Sequence, residues 1–317
     1  MKFRFLLATV VLSMAVSFAL ATNTRELLAS GHAAEAVQVL QQRTANAPDD
    51  AESFNLLCRA YFMMDEWDRG IPACERAQKL DPQSSLYHLW LGRIYGEKAD
   101  RAGIFSAAGL AKKVRSSFEH AVELDPRSWE ARTDLAEFYL EAPGIVGGGK
   151  DKARQQAQQL FTLNPAMAHW VLARVAEKDH DNAAAEREYR AEIESSHSGA
   201  RGWLDLAIFF RHANRFDEME AALRQLESCP IDRRESLMDG ASLLLRTGRD
   251  FALSIRLLRR YLSDPVEEGP AFKARNMLGE LLEKQGDRHA AAEQFRTALA
   301  LDPDYSKAQE NLKRLEH

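Results

Sequence analysis

The sequence predicts an all-α chain built from repeated antiparallel helix pairs, and three observations carry that prediction. The motif Ala-x-x-Leu-Asp-Pro recurs at 77–82, 121–126 and 298–303, with fainter echoes at Ala47-Pro48, Asn164-Pro165 and Asp264-Pro265. Each proline follows a helix-like stretch and stops it, because proline lacks the amide hydrogen and its ring clashes with the preceding turn. Finally, 45% hydrophobic and 28% charged residues make an ordinary folded composition, with glycine and proline confined to recurring points of punctuation.

The 317 residues carry 42 basic and 47 acidic side chains, a net charge of −5. No run of lysine and arginine stands out, which excludes a general affinity for nucleic acid. The first 21 residues differ from the rest. Lys2 and Arg4 precede an uncharged stretch from Phe5 to Ala21 that ends in Ala19-Leu20-Ala21, the three-part build of a secretory signal peptide. The alternative, an uncleaved anchor, is disfavoured because this stretch is short for a hydrocarbon core of about 30 Å. No cysteine follows directly, so a lipidated N-terminal cysteine is not available. Cleavage after about Ala21 starts the mature chain near Thr22 and removes Lys2 and Arg4, leaving 40 basic against 47 acidic residues, or −7. No later stretch is apolar enough to span a membrane, and the expected location is periplasmic or secreted.

Residues 272–305 give the clearest repeat. Counted from Phe272, Leu278 and Gly279 take places seven and eight and Leu282 place eleven. Gly286 takes place fifteen, Ala291 twenty, Phe295 twenty-four, Ala298 twenty-seven and Pro303 thirty-two. Small residues at eight, twenty and twenty-seven let two helices approach closely, and glycine at fifteen permits a tight reversal. This pattern resembles the tetratricopeptide repeat, a 34-residue unit of two antiparallel helices. The resemblance implies a right-handed superhelical solenoid of about eight units. Applied along the chain, the same ruler places them at about 22–50, 51–84, 85–128, 129–165, 166–199, 200–233, 234–267 and 272–305. A polar stretch at 306–317 reads as the capping helix that an array needs over its exposed end.

Two units depart from the family length. In the third, Leu91, Gly92 and Tyr95 mark a first helix, but Phe118, Ala121 and Pro126 arrive ten residues late. The extra residues lie in 99–113 and include Ile104, Phe105 and Leu110. They extend the helices or form an apolar element that contacts a partner. In the fourth, the loop 143–150 is about five residues too long, and Gly147-Gly148-Gly149-Lys150 opens a helix. Its amides and Lys150 could cradle an anion, although no Ser or Thr follows the lysine and no strand precedes it, so a turn is the simpler reading.

Catalytic and metal signatures are absent from the sequence. The nine histidines, among them His169, His180 and His197, show no ligand spacing, and no nucleophile elbow occurs. The expectation is a protein that is not an enzyme and uses no cofactor or metal. Cys58 and Cys74, at places eight and twenty-four, are equidistant from the turn and should face each other across the hairpin, a candidate disulfide in an oxidising compartment. Cys229 is left as a free thiol.

In tetratricopeptide arrays the first helix of each unit lines the concave face through places two, five, nine and twelve. Carried onto this chain, those places hold Arg59, Phe62, Leu89, Arg93, Trp170, Arg174, Arg201, Leu204, Ile208 and Arg211. Arginines with aromatic and aliphatic neighbours suit an extended peptide bearing carboxylates. The bland reading of each arginine is a bridge to a neighbouring repeat, with Glu130 and Glu137 on the unit between. Glu280 and Glu283 turn the C-terminal end acidic, and Lys273 and Asn276 match a carboxylate clamp only in part. The resemblance implies a protein–protein interaction scaffold holding a protein or peptide in the groove, in cell-envelope assembly or secretion. The alternatives are a binder of a small anionic ligand near the inserted segments and an enzyme accessory subunit.

Overall fold

The computed structural model describes residues 24–266 and 269–316, with the backbone alone at 104 and 105. The signal-like segment and the side chains of Ile104 and Phe105 lie outside the described residues. The described chain is entirely helical, without strands, and forms a tetratricopeptide-like solenoid. Its helices pair as α1 (24–29) with α2 (Ala33–Asn46), α3 (Ala51–Met63) with α4 (Trp67–Leu80), and α5 (Ser85–Asp100) with α6 (Ile104–Leu124). Next come α7 (Trp129–Glu141) with α8 (Lys150–Leu160), α9 (Pro165–Lys178) with α10 (Asn182–Ser195), and α11 (Ala200–His212) with α12 (Phe216–Ser228). The last pairs are α13 (Glu235–Thr247) with α14 (Phe251–Tyr261) and α15 (Ala271–Lys284) with α16 (Arg288–Leu301), followed by α17 (Ser306–Glu316).

Local chemistry sets the helix boundaries. Asp50, Ser84, Ser128, Asn164, Asp181, Asp250 and Asp287 each accept the backbone N–H three residues on, the N-cap bond that satisfies an orphan donor of the first turn. The Asp-Pro stops work by a second device. Asp81, Asp125 and Asp302 accept the N–H of Gln83, Arg127 and Asp304 at 3.2, 3.0 and 3.1 Å, so each aspartate folds its own turn while the proline bars further helix.

The turn within each regular pair carries one left-handed residue at place fifteen: Asp65, His180, Asn214, Gly248 and Gly286, with φ between 58° and 87°. The sequence shows this place only where it is glycine. Asp, His and Asn also tolerate the left-handed region, which gives His180 a structural role.

Within a pair, the second helix drives an aromatic ring into a glycine hole of the first. A Cβ on Gly92 would collide with the Phe118 ring, and one on Gly279 with the Phe295 ring. Phe118 therefore does in the third unit what Phe295 does in the eighth, despite arriving late. The extra residues are absorbed by length: α5 has 16 residues and α6 has 21. Leu110 and Ala111 pack partly against the core.

Substantial helix contacts join neighbours in the array, with one exception: α2 touches α16. The solenoid completes a turn and its two ends meet. The Val266 amide donates to the Ala29 carbonyl at 2.7 Å, and Lys273 pairs with Asp65 at 2.6 Å. Residues 29–31 and 64–65 belong to the edge where first helices turn into second ones. Val266 and residues 269–273 belong to the opposite edge, where one pair leads to the next. The contact is therefore edge on edge, as in a split lock-washer.

Candidate functional site

The first helices α3, α5, α7, α9, α11, α13 and α15 carry the groove side chains. Along them, two tryptophans are each flanked by two arginines. Arg59 of α3 and Arg93 of α5 lie 5.0 and 4.9 Å from the Trp90 ring centre, and Phe62 meets the same ring edge-on at 5.5 Å. Arg174 of α9 and Arg201 of α11 lie 5.5 and 5.3 Å from the Trp170 ring. A guanidinium over an indole face is held by the ring quadrupole and keeps its in-plane N–H groups for other acceptors.

The surroundings of the two stacks differ. Around Trp90, Arg93 is bridged to Asp134 at 2.6 Å. Arg59 is pushed down to about 10 by burial and by the positive charges of Arg25 and Arg93. Around Trp170, carboxylates crowd in. Arg174 meets Glu141 at 2.5 Å and Glu177 at 3.5 Å, and Arg201 Nε approaches Asp205 Oδ2 at 3.5 Å without a hydrogen bond. Behind them Glu192 is fully buried, and neither of its oxygens meets an N–H donor among the described residues. Burial first, and then the adjacent Asp205, raise its carboxyl well above the ordinary range, so Glu192 keeps its proton. Burial likewise raises Asp205, against the pull of Arg201.

Placement of the remaining groove residues is uneven. Leu89 and Leu204 are buried in the core, as is Trp170, which keeps 4% of its surface. Phe62, Ile208 and Arg211 stay partly exposed. Trp90, at place six, was missed because only places two, five, nine and twelve were considered. Its spacing to Arg93, one helical turn on, was the available signal. The bridging carboxylates are Asp134 and Glu141, one turn to either side of Glu137, and not Glu130 and Glu137 themselves. Asn276 is buried and donates to Glu280 at 2.7 Å, while Asn311 of α17 donates to both. The cap thus occupies the acidic C-terminal end.

The glycine-rich loop is built from internal bonds. The amides of Gly147, Gly148 and Gly149 donate to Gly144, Pro143 and Tyr139 carbonyls at 3.0, 3.2 and 2.8 Å, leaving none for an anion. Lys150 pairs with Asp179, which also holds Arg154 at 2.7 Å. A cleft of about 540 Å3 lies on the rim between Asp65–Arg69 and the start of the inserted segment, lined by Trp67, Arg101 and Leu110. Its cations are matched: Arg69 with Glu66 at 2.5 Å, Lys98 with Asp68 at 2.7 Å, Arg101 with Glu97 at 3.0 Å. Cys58 and Cys74 are joined, their Cα atoms 5.1 Å apart, and Cys229 is a buried free thiol. Among the described residues no three His, Cys, Asp or Glu side chains converge as a metal site.

Two tetratricopeptide repeat family models match, one over residues 27–94 and one over residues 272–305. The chain carries tetratricopeptide repeats in these two stretches. The second match spans the residues with the clearest repeat spacing. Among solved structures, a thermophilic tetratricopeptide repeat protein of Thermus thermophilus aligns over 64% of this chain and 98% of its own, with 16% identity and a TM-score of 0.50. Yeast Tom70 aligns over 90% of this chain and 58% of its own, with 15% identity and a TM-score of 0.53. At such identities the likeness is one of fold. No curated protein matches the sequence significantly. Tetratricopeptide repeat proteins are in general non-catalytic scaffolds for protein interaction.

Proposed function

We propose that this tetratricopeptide repeat protein is exported and holds an extended, acidic segment of another protein along its concave face, with the Arg59–Trp90–Arg93 stack as the anchor. One observation carries the reading. Arg59 and Arg93 flank the Trp90 ring at 5.0 and 4.9 Å, and burial first, then the positive charges of Arg25 and Arg93, holds Arg59 down to about 10, so an incoming carboxylate is favoured there. Trp90 and Phe62 beside it offer apolar area to the same segment. The second stack, surrounded by its own carboxylates, holds units together instead.

Export is supported by the signal-like sequence of residues 1–21 and by a disulfide between Cys58 and Cys74, which persists in an oxidising compartment. An envelope-assembly or secretion setting follows from that location and from the fold class, by analogy. The small-anion reading gains no support, because the loop amides and the cleft cations are already matched.

The test is photo-crosslinking and capture from envelope extracts, comparing the mature wild type with an Arg59→Glu variant of equal helicity. A discrete protein captured by the wild type and reduced at least tenfold in the variant is expected. Equal capture by both would remove the groove anchor. An N-terminus at Thr22 on the recovered protein is expected, and a retained Met1 would argue against cleavage.

A further inference from the structure

The seam where the ends meet has a different physical character from the rest of the array. Everywhere else each unit is bonded to its sequence neighbour along whole helices. At the seam the contacts are few and edge on edge. There is the Val266–Ala29 backbone bond, and Met64 packs against the Phe272 and Ala298 cluster. Gly31, with φ near +80°, lies so close that a Cβ would collide with Ala271. The Asp65–Lys273 ion pair is part-exposed at both ends, with side chains 45% and 25% accessible, where such pairs contribute little and are screened by salt.

Charge at the seam is poised. Lys273 faces not only Asp65 but also Asp302, whose carboxyl is raised by burial against the hydrogen bond it accepts from the Asp304 amide. Lys273 therefore faces Asp65 and Asp302, on an edge where Glu66 is already paired with Arg69. Because a repeat array is stabilised unit by unit and interface by interface, losing the one non-neighbour contact leaves the other interfaces intact.

We propose that the collar is a clasp: its seam opens while every repeat stays folded, so that an internal segment of a polypeptide is laid into the concave face from the side. A closed collar would accept only a chain end threaded along its axis. Opening needs only a small increase of pitch shared over all units, the softest motion of a solenoid. What is loaded rests on the groove reading above, whereas the opening itself is measured without any ligand.

Zero-length carbodiimide coupling makes an amide between a carboxylate and an amine in contact, and it should join Asp65 to Lys273 in the full mature protein. Small-angle X-ray scattering then compares the wild type, the coupled form and Lys273→Glu, which sets a new carboxylate against Asp65 and Asp302. The expected result is a radius of gyration larger by roughly a tenth in Lys273→Glu, with unchanged helicity and unfolding midpoint. The wild type should expand toward it as salt rises, and the coupled form should not. Met64→Gln, which loosens only the apolar contact, should expand part of the way. Expansion accompanied by lost helicity in both variants would make the seam part of the cooperative fold and overturn the clasp. So would an unchanged radius in both. Failure of the Arg59→Glu capture experiment would leave these results intact and speak only against the groove anchor.

Discussion

The two arginine–tryptophan–arginine stacks use the same residues on the same series of helices, yet their settings are opposite. Trp90 is part-exposed between arginines that repel each other, with Asp134 bridging one of them. Trp170 is buried, and its arginines meet Glu141 of α7, Glu177 of their own helix α9 and Asp205 of α11. The difference teaches that a groove motif is assigned by the charges gathered around it, from its own helix as well as from the next unit.

The largest expected effect tests that contrast directly. Trp170→Ala should cost about 3–5 kcal/mol of stability, the usual range for a buried tryptophan, and Trp90→Ala no more than about half of that. Chemical denaturation of both variants measures it, and equal losses would erase the distinction between structural and anchoring stacks. Next in size is the disulfide. Cys74 Sγ lies 3.8 Å from the Trp90 carbonyl, so the Cys58–Cys74 bond braces the helices beneath the first stack only. Cys58→Ser/Cys74→Ser should lower stability by about 3 kcal/mol on loop-closure grounds. Hydrogen exchange should quicken in α3–α5 and stay unchanged in α9–α11.

The smallest effect sharpens the other side. Glu192 holds in the folded state a proton that the unfolded chain releases near its ordinary 4.5. Its contribution is therefore complete below about pH 4.5 and declines as pH rises toward the folded value. Glu192→Gln keeps the side chain's size and removes its titration. At pH 8 the variant should be more stable than the wild type by roughly 1 kcal/mol, with a flatter pH profile of unfolding midpoints. A profile as steep as the wild type's would mean that the proton resides elsewhere.

The helix pairs were legible because the units carry local instructions in varying selections: Asp, Ser or Asn caps, the glycine holes of Gly92 and Gly279 with their aromatic rings, and the Asp-Pro stops at 81–82, 125–126 and 302–303. The groove was legible only as a set of places. Periodicity located Arg59, Arg93, Arg174 and Arg201, but which carboxylate each would meet depends on the rotation between units. A shift of one turn separates Asp134 and Glu141 from the expected Glu137, and the same shift left Trp90 off the expected face. The left-handed turn residues were half legible, since glycine announces the conformation and Asp65, His180 and Asn214 do not.

By itself, then, the sequence determined the repeat, the fold class and the pairing of each helix with its partner, because those rest on contacts within some 34 residues of chain. Only the tertiary structure decided that the two ends meet at Asp65 and Lys273. Curvature and pitch accumulate from small rotations at every interface. A change of a few degrees per unit, invisible in any single repeat, determines whether a solenoid stays an open spiral or comes to rest on its own edge.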